Sequence, residues 1–300
     1  MSVTFSNHDE VKLYGLSTDN KPTTGIPNGS TFEESDTHIV YFYTGADWVK
    51  HSIGRTQSMP YLFDIAEGHI PDHAAFTKMG VYSAVGTTEL DLWEGGSVYP
   101  WLTAAQTISV ISSQAGDTAA GSGARTVYIN YLNSAGVTGR ETITLNGTAA
   151  VTSTNTMYRI NSVVVASTGG TYMTTGTITV AKSAGGTALA YILAGLTRSR
   201  MCIYQVPYGK VLFITSVTYG CHSATKGIRV ITRATYDADN HALTDFFLPY
   251  SDVAMTNGAM SRQLEIPTKL PAGTRLKVSS IADAAGAYAT VGLRGWLENE

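Results

Sequence analysis

Residues 107–148 constrain the fold more than any other stretch, because their apolar side chains recur at every second position. A period of two, carried by β-branched and aromatic residues between glycine-rich turns, is typical of β-strands. The pattern predicts strands at residues 107–113, 124–132 and 140–145. The connection at 133–139 contains the asparagine and glycines that supply the positive φ angles of a hairpin turn. The connection at 114–123 is small and glycine-rich, which indicates a flexible loop around Asp117.

The same pattern continues to the C-terminus. It predicts further strands at residues 157–167, 176–183, 188–195, 201–207, 211–223, 227–236, 244–251, 261–267, 275–283 and 287–297. Turn residues separate the strands roughly every 8–12 positions, the spacing of β-sandwiches and barrels. We therefore predict an all-β fold in which residues 86–300 form an antiparallel, jelly-roll-like β-sandwich body. A short linker leaves open whether this body is one domain or two subdomains with a boundary near residues 183–200.

Two smaller segments precede this body. Residues 1–50 predict a β-hairpin module that serves anchoring or oligomerisation, with strands at 31–34 and 39–43 and with Trp48 closing the hairpin. Residues 51–85 predict a connector with a short helix. We place two helical turns at residues 72–79 and their end at Gly80, because glycine commonly terminates a helix.

Charged residues make up only 14% of the chain, which also contains 30 Gly and about 40 Thr. This composition favours broad sheets with neutral, polar outer faces. Burial of such faces against other subunits has a smaller desolvation cost than burial of charged faces. The net charge of −3 is segregated: residues 1–117 hold fourteen acids and five bases, 118–236 one acid and ten bases, and 237–300 eight acids and five bases.

The basic middle section has two interpretations. It could bind nucleic acid or an anionic glycan, or it could face an acidic surface of its own chain or of a neighbouring subunit. No cluster of Lys and Arg with interleaved aromatic residues is present in this section. Because single-stranded nucleic acid is bound through such stacking platforms, we favour the second interpretation and expect no nucleic-acid partner.

The two cysteines, Cys202 and Cys221, are too few for a disulfide framework. If residues 207–210 turn a hairpin, Cys202 lies opposite about Thr215, and a direct bond to Cys221 is not expected. Free thiols fit synthesis in a cytoplasm. Residues 1–10 show no apolar leader, and the longest apolar runs are far shorter than a membrane span, so no membrane partner is expected.

Two stretches imitate metal sites without completing them. His69 and His73 have a spacing that would suit a metal on a helix, but Pro71 lies between them. Residues 237–245 place oxygen ligands as a calcium loop does, but Ala242 stands where that loop needs glycine and no glutamate closes it. We therefore predict no metal and no cofactor, and interpret the two stretches as a solvated connector and a polar hairpin tip.

Catalytic patterns are also missing from the sequence. Glycoside hydrolysis needs two carboxylates about 5–10 Å apart, whereas Glu141 is the sole acid between residues 118 and 236. Asp245, Asp252 and Glu265 follow later, but no pattern joins them. The chain contains neither a nucleophile elbow nor a dinucleotide-binding fingerprint. We predict a protein that is not an enzyme and has no catalytic residues.

The segment WEGGSVYPW brings Trp93, Tyr99 and Trp101 close together in the chain. If their rings are exposed, they could stack on sugar rings, which makes them candidate glycan-binding residues. The alternative is a hydrophobic plug at the edge of the sandwich. Aromatic clusters serve either purpose, so the sequence leaves the choice open.

Several segments resemble structural proteins of tailed bacteriophages. The first is LYGLSTDNKPTTGIPNGSTFEESDTHIVYFYTGADW at 13–48, where His38 replaces a Gly-Lys that is common in that module. The second is GHIPDHAAFTKMG at 68–80, with Asp72 where the family pattern has glycine. The third and fourth are ISSQAGDTAAGSGARTVYINYLNSAGVTGRETITLNGT at 111–148 and YRINSVVVASTGGT at 158–171. Together they extend the resemblance over roughly residues 11–200.

The resemblance implies a virion component, most similar to capsid decoration or head-fibre proteins, made in the cytoplasm of a host bacterium. It also implies binding to the major capsid protein or to other virion proteins, and association as a homotrimer. We expect the trimer contacts to include residues 86–148. The alternative is a glycan- or receptor-binding module on a tail or head appendage, with a host surface glycan as its partner.

Overall fold

The computed structural model describes residues 10–37, 39–51, 61–183, 186–223, 225–235 and 248–300. Within these ranges the chain forms twenty β-strands and one short helix. The sheets are antiparallel except for one parallel strand pair in the N-terminal region. The predicted all-β fold is therefore confirmed.

The chain forms two compact units, Met1–Ala74 and Ala75–Glu300. The expected division at residues 50 and 85 remains a prediction. The N-terminal unit contains helix α1 (Tyr61–Ala66) and a four-stranded sheet in the order β1-β2-β3-β4. Its strands are β1 (Lys12–Gly15), β2 (Thr31–Glu34), β3 (Val40–Tyr43) and β4 (Trp48–His51).

The predicted hairpin of this unit is present as the antiparallel pair β2–β3, and β4 continues the sheet from Trp48. The Trp48 ring packs edge-on against Phe32, with 6.0 Å between the ring centroids. Its indole nitrogen donates a 2.7 Å hydrogen bond to the carbonyl oxygen of Pro22. Trp48 thereby fastens the long turn-rich loop between β1 and β2 to the sheet.

The helix predicted at residues 72–79 is wrong. Strand β5 (His73–Val85) begins there instead, while the short helix α1 lies earlier in the connector. Burial alternates along the strand at Phe76, Lys78 and Gly80, and pairing with the C-terminal strand outweighs the local helical preference. Asp72, just before the strand, has a φ of 62°, in the left-handed region that favours glycine.

The first half of the C-terminal unit is a β-sandwich, here called the first sandwich. One sheet has the order β10-β7-β12-β13 and the other β11-β8-β9. The strands are β7 (Ile108–Ser112), β8 (Ala124–Leu132), β9 (Thr138–Thr144), β10 (Val151–Thr152), β11 (Arg159–Thr168), β12 (Ile178–Lys182) and β13 (Ala188–Ile192). Inward-facing residues of both sheets, such as Val110, Ile129 and Val180, form a fully buried core between them.

The second sandwich holds a separate core. Its sheets have the orders β14-β19-β16-β17, with β6 added beside β19, and β18-β15-β20-β5. The remaining strands are β6 (Leu90–Asp91), β14 (Ile203–Gln205), β15 (Lys210–His222), β16 (Ile228–Ala234), β17 (Leu248–Met255), β18 (Gly258–Leu270), β19 (Arg275–Ala282) and β20 (Ala287–Asn299). Leu212, Tyr219, Val230 and Leu276 belong to this core.

The hairpin considered at residues 207–210 does not form. Strand β14 pairs with β19, whereas β15 pairs with β18 and β20, so this turn links the two sheets of the second sandwich. Cys202 and Cys221 are free, buried thiols in the core of that sandwich. Burial raises the pKa of Cys202 to about 12, which leaves it a thiol at neutral pH.

Candidate functional site

The aromatic segment between β6 and β7 closes one end of the first sandwich. Trp93 is 2% exposed and Tyr99 5% exposed, and both belong to the core of that sandwich. The Trp93 ring stacks on Tyr191 and meets Tyr99 edge-on, with centroid distances of 5.9 and 5.3 Å. A β-carbon at Gly95 would lie 2.2 Å from the Trp93 ring, so glycine is required for this close approach.

Trp101 is half-buried and is also covered. Tyr99 meets its ring edge-on at 5.1 Å, and the guanidinium groups of Arg159 and Arg275 lie 5.5 and 5.7 Å from its centroid. The exposed rings that glycan stacking would need are therefore not offered by Trp93 or Tyr99. The geometry favours the hydrophobic plug.

A buried polar group links the two sandwiches beneath this plug. Arg159 on β11 donates from Nε to Oε1 of Gln205 on β14 at 2.7 Å. Asn161 donates to the backbone oxygen of Gln205 at 3.1 Å and accepts from its backbone nitrogen at 3.0 Å. The three side chains are 4–7% exposed, and their mutual bonds satisfy polar atoms that would be costly to bury alone.

Lys78 on β5 extends the same buried group. Its side chain is 7% exposed, and its ammonium donates a hydrogen bond to the backbone oxygen of Asn161. Burial lowers the pKa of Lys78 to about 8. The arrangement leaves the cation with a neutral carbonyl partner, which stabilises a charge less than a carboxylate would.

A single buried carboxylate fastens the two sheets of the first sandwich. The residue is Asp117, in the connection between β7 and β8, and it is 0% exposed. It accepts hydrogen bonds from the Ser112 hydroxyl at 2.6 Å and from the backbone nitrogens of Ala124, Thr175 and Gly176 at 2.8–2.9 Å. Burial raises the pKa of Asp117, but these hydrogen bonds outweigh it and hold the pKa below its ordinary value.

The connection around Asp117 is therefore an ordered anchor, contrary to the flexible loop expected from its glycines. A β-carbon at Gly123 would lie 2.2 Å from the Asp117 carboxylate and 2.8 Å from the Thr175 hydroxyl. The small residues of this connection make room for the carboxylate. The available sequence signal was the isolation of Asp117, the sole acid between Glu94 and Glu141.

Three acids near β6 pair with bases from later parts of the chain. The pairs are Arg233–Glu89 at 2.9 Å, Lys277–Asp91 at 2.9 Å and Arg200–Glu94 at 2.6 Å. The segregated charges thus pair partly within one chain. This agrees with the interpretation that the basic section faces an acidic surface of its own chain. Burial raises the pKa of Glu94, and the neighbouring Arg200 opposes that rise.

Two edge strands present polar surface to solvent. Strand β9 exposes Thr138, Arg140, Thr142 and Thr144 at one edge of the first sandwich. Strand β18 is the edge of a sheet in the second sandwich and is exposed along most of its thirteen residues. Unpaired backbone groups at such edges are where β-rich proteins meet other chains.

The residues weighed as metal ligands do not converge. His69 contacts Asp64 and Glu67 at 3.5 and 3.4 Å, whereas His73 hydrogen-bonds the Tyr61 hydroxyl at 2.8 Å. The calcium-like stretch at 237–245 lies outside the described residues. In the ranges that the structure describes, no group of three metal-binding side chains is found.

No helix in those ranges has the length and apolar character needed to cross a membrane.

Comparison with known proteins gives weak matches. No family model matches the chain, and no curated protein matches its sequence. The chain is similar to the crystal structure of the infectious bursal disease virus VP2 subviral particle, at 11% identity and a TM-score of 0.22, over 80% of this chain and 78% of that chain. A structure of the Gx strain of that virus gives 10% identity and a TM-score of 0.21, over 81% and 78%. Similarity at this level carries no argument about function.

Proposed function

We propose that this protein is a non-enzymatic structural component of a tailed-bacteriophage virion, a capsid decoration or head-fibre protein that binds the capsid surface. The observation that carries the proposal is the phage-like sequence at 111–148 together with the position of its residues in the fold. These residues supply strands β8 and β9 and the Asp117 anchor. The resemblance thus falls on residues that build the sandwich.

The second part of the motif, LNGT at 145–148, contacts the same anchor. The backbone nitrogen of Gly147 donates to the Asp117 carbonyl oxygen at 2.8 Å. The backbone nitrogen of Ser112 donates to the Gly147 carbonyl oxygen at 3.0 Å. Gly147 has a φ of 58°, which explains the glycine. The two ends of the motif meet around the buried Asp117 carboxylate. A protein that shares the motif would therefore be expected to hold its two sheets together through the same contacts.

A structural role also agrees with how the buried ionisable groups are used. Asp117, Arg159 and Lys78 each hydrogen-bond the backbone or a side chain of another strand or connection. Glu94 is paired with Arg200. Strongly perturbed groups mark catalytic sites when they are poised for reaction, whereas these ones join strands and sheets.

The experiment that tests the proposal is localisation on the particle. Purified virions labelled with an antibody against this protein, imaged by negative stain, should carry label on the head surface. Particles from a phage lacking the gene provide the matched control and should be unlabelled. Absence of label from wild-type virions would contradict the proposal, and label confined to the tail would favour the appendage alternative.

We further propose a homotrimer whose contacts include residues 86–148. The exposed edge of β9 lies in this range, and neutral threonines dominate its outer row.

Light scattering should give a mass near three times 31.9 kDa. Thr142→Lys on β9 should promote dissociation, whereas Thr290→Lys on β20 should not. High salt should weaken the trimer if ion pairs between subunits contribute, because exposed charges are screened within about 10 Å at 0.1 M. A monomer at micromolar concentration would contradict the proposal.

A glycan-binding function draws no support from Trp93 or Tyr99, because their rings lie in the core. It would have to rely on the half-buried Trp101 or on residues outside the predicted set.

A further inference from the structure

The second sandwich contains a cavity of about 170 Å³ between its two sheets. Its apolar walls come from both sheets, with Ile214 and Val217 on β15, Leu270 on β18 and Leu276 on β19. Each of these side chains is at most 6% exposed. An engineered protein cavity of about 150 Å³ accepts benzene, so this space suits a molecule of one aromatic ring.

Four hydroxyl-bearing side chains line the cavity among these apolar walls: Tyr219, Thr232, Ser251 and Thr268. Tyr219 and Ser251 line the cavity and hydrogen-bond each other at 2.6 Å. Thr232 also lines it, is 4% exposed, and its hydroxyl has no hydrogen-bond partner among the described residues. The residue lies in the inward row of β16 between Val230 and Ala234, where an apolar side chain would be expected. A buried hydroxyl without a partner is costly, and a ligand could supply the missing bond.

An irregular part of strand β18 forms one wall of this cavity. Thr268 pairs with Ile214 and Gln263 with Ser216, so residues 264–267 of β18 lie opposite Thr215 alone. Leu264, the first residue of this bulge, and Thr268, which directly follows it, both line the cavity. Bulges redirect side chains and are enriched beside functional sites. Arg262, an exposed residue on the same strand, also lines the cavity.

We propose that this cavity binds a small amphipathic molecule, a single aromatic ring that bears a hydroxyl group. The ring packs against the apolar walls contributed by the two sheets. Its hydroxyl bonds the hydroxyl of Thr232. The site goes beyond the proposed virion role and does not depend on it, because it lies within one chain.

Phenol is the probe that tests this inference, with benzene as the matched ring that lacks a hydroxyl. Isothermal titration of the full chain should show saturable phenol binding. Thr232→Val keeps the side-chain shape and should weaken phenol binding by about threefold to tenfold, the value of one hydrogen bond, while leaving benzene binding unchanged. Thr290→Val, on β20 outside the cavity, is the control and should bind both probes as the wild type does.

A fold check accompanies the titration. Without any probe, Thr232→Val should melt at a temperature at or above that of the wild type, because it removes an unpaired buried hydroxyl. Saturating phenol should raise the melting temperature of the wild type more than that of Thr232→Val. Phenol binding that is absent from the wild type, or equal in the wild type and Thr232→Val, would overturn the proposal. So would phenol density outside the cavity in a soaked crystal.

Discussion

The two sandwiches of the C-terminal unit follow the same strand pattern but treat their interior polar groups differently. In the first, Asp117 accepts four hydrogen bonds and fastens both sheets. In the second, the hydroxyl of Thr232 beside the cavity has no hydrogen-bond partner among the described residues. The two sandwiches thus share an alternating strand pattern but differ in how these two interior polar groups are satisfied.

The largest expected effect comes from breaking the anchor of the first sandwich. Asp117→Ala removes the acceptor of three backbone nitrogens and leaves them buried without partners. We expect the free energy of unfolding to fall by about 4 kcal/mol. Urea denaturation followed by far-UV circular dichroism measures this loss. A loss below about 1 kcal/mol would mean that water or a rearranged loop replaces the carboxylate.

The same carboxylate makes stability depend on pH. Its pKa is lower in the folded protein than its ordinary value of 3.8, so its stabilising contribution is complete above that value and is lost as the pH falls through the folded pKa. Wild-type protein should therefore lose stability on acidification below about pH 4. Comparison with Asp117→Asn isolates this contribution, because the variant cannot titrate at that position and should show a weaker acid dependence.

A smaller effect is expected at the boundary between the two sandwiches. Lys78→Met replaces a buried cation with an apolar side chain of similar length. We expect stabilisation by about 1–3 kcal/mol at pH 7, reduced by the hydrogen bond lost to Asn161. Thermal unfolding measures it. Destabilisation would show that the hydrogen bond from the ammonium stabilises the protein by more than burial of the charge destabilises it.

The pH dependence at Lys78 has the same sign as that at Asp117 but falls in the alkaline range. Its pKa falls from 10.5 to about 8 on folding, so the unfolded chain binds more protons between these values. Wild-type stability should rise as the pH increases from about 8 to 10.5 through this group. The difference between wild type and Lys78→Met should shrink over the same range, and a constant difference would contradict the assignment.

The smallest effect is expected at the rim of the second sandwich. Asp252 on β17 pairs with Arg229 on β16, and both side chains are exposed to solvent. Exposed pairs are screened by water and salt, and ordering their long side chains offsets the attraction. Asp252→Asn should leave the urea midpoint unchanged within error. A clear loss would show that surface ion pairs hold this sandwich together.

The strands were predictable from sequence because their signal is local. The strand expected at 124–132 is observed as Ala124–Leu132, and the later strands differ from their predicted bounds by a few residues. Period-two burial is a property of neighbouring residues, so it can be read without knowing partners. The error at 72–79 arose where strand β5 is specified by its pairing in a sheet rather than by its own residues.

The polar contacts were not predictable, because they join residues far apart in the chain. Arg159 and Gln205 are 46 positions apart, and Asp117 and Gly176 are 59 apart. The aromatic cluster illustrates the same limit: its composition fitted both an exposed platform and a plug, and only its burial separates them. Sequence periodicity indicates which face a residue occupies, but not which distant group meets it.

The bulge in β18 also bears on whether further strands can add to this edge of the sheet. A flat edge strand would let copies add one after another into an open filament, as heterologous contacts do when they fail to close. Residues 264–267 bow out of the ladder, and among them Pro267 lacks the N–H that a neighbouring strand would use. The bulge and Pro267 therefore disfavour the addition of a further strand along this part of the edge.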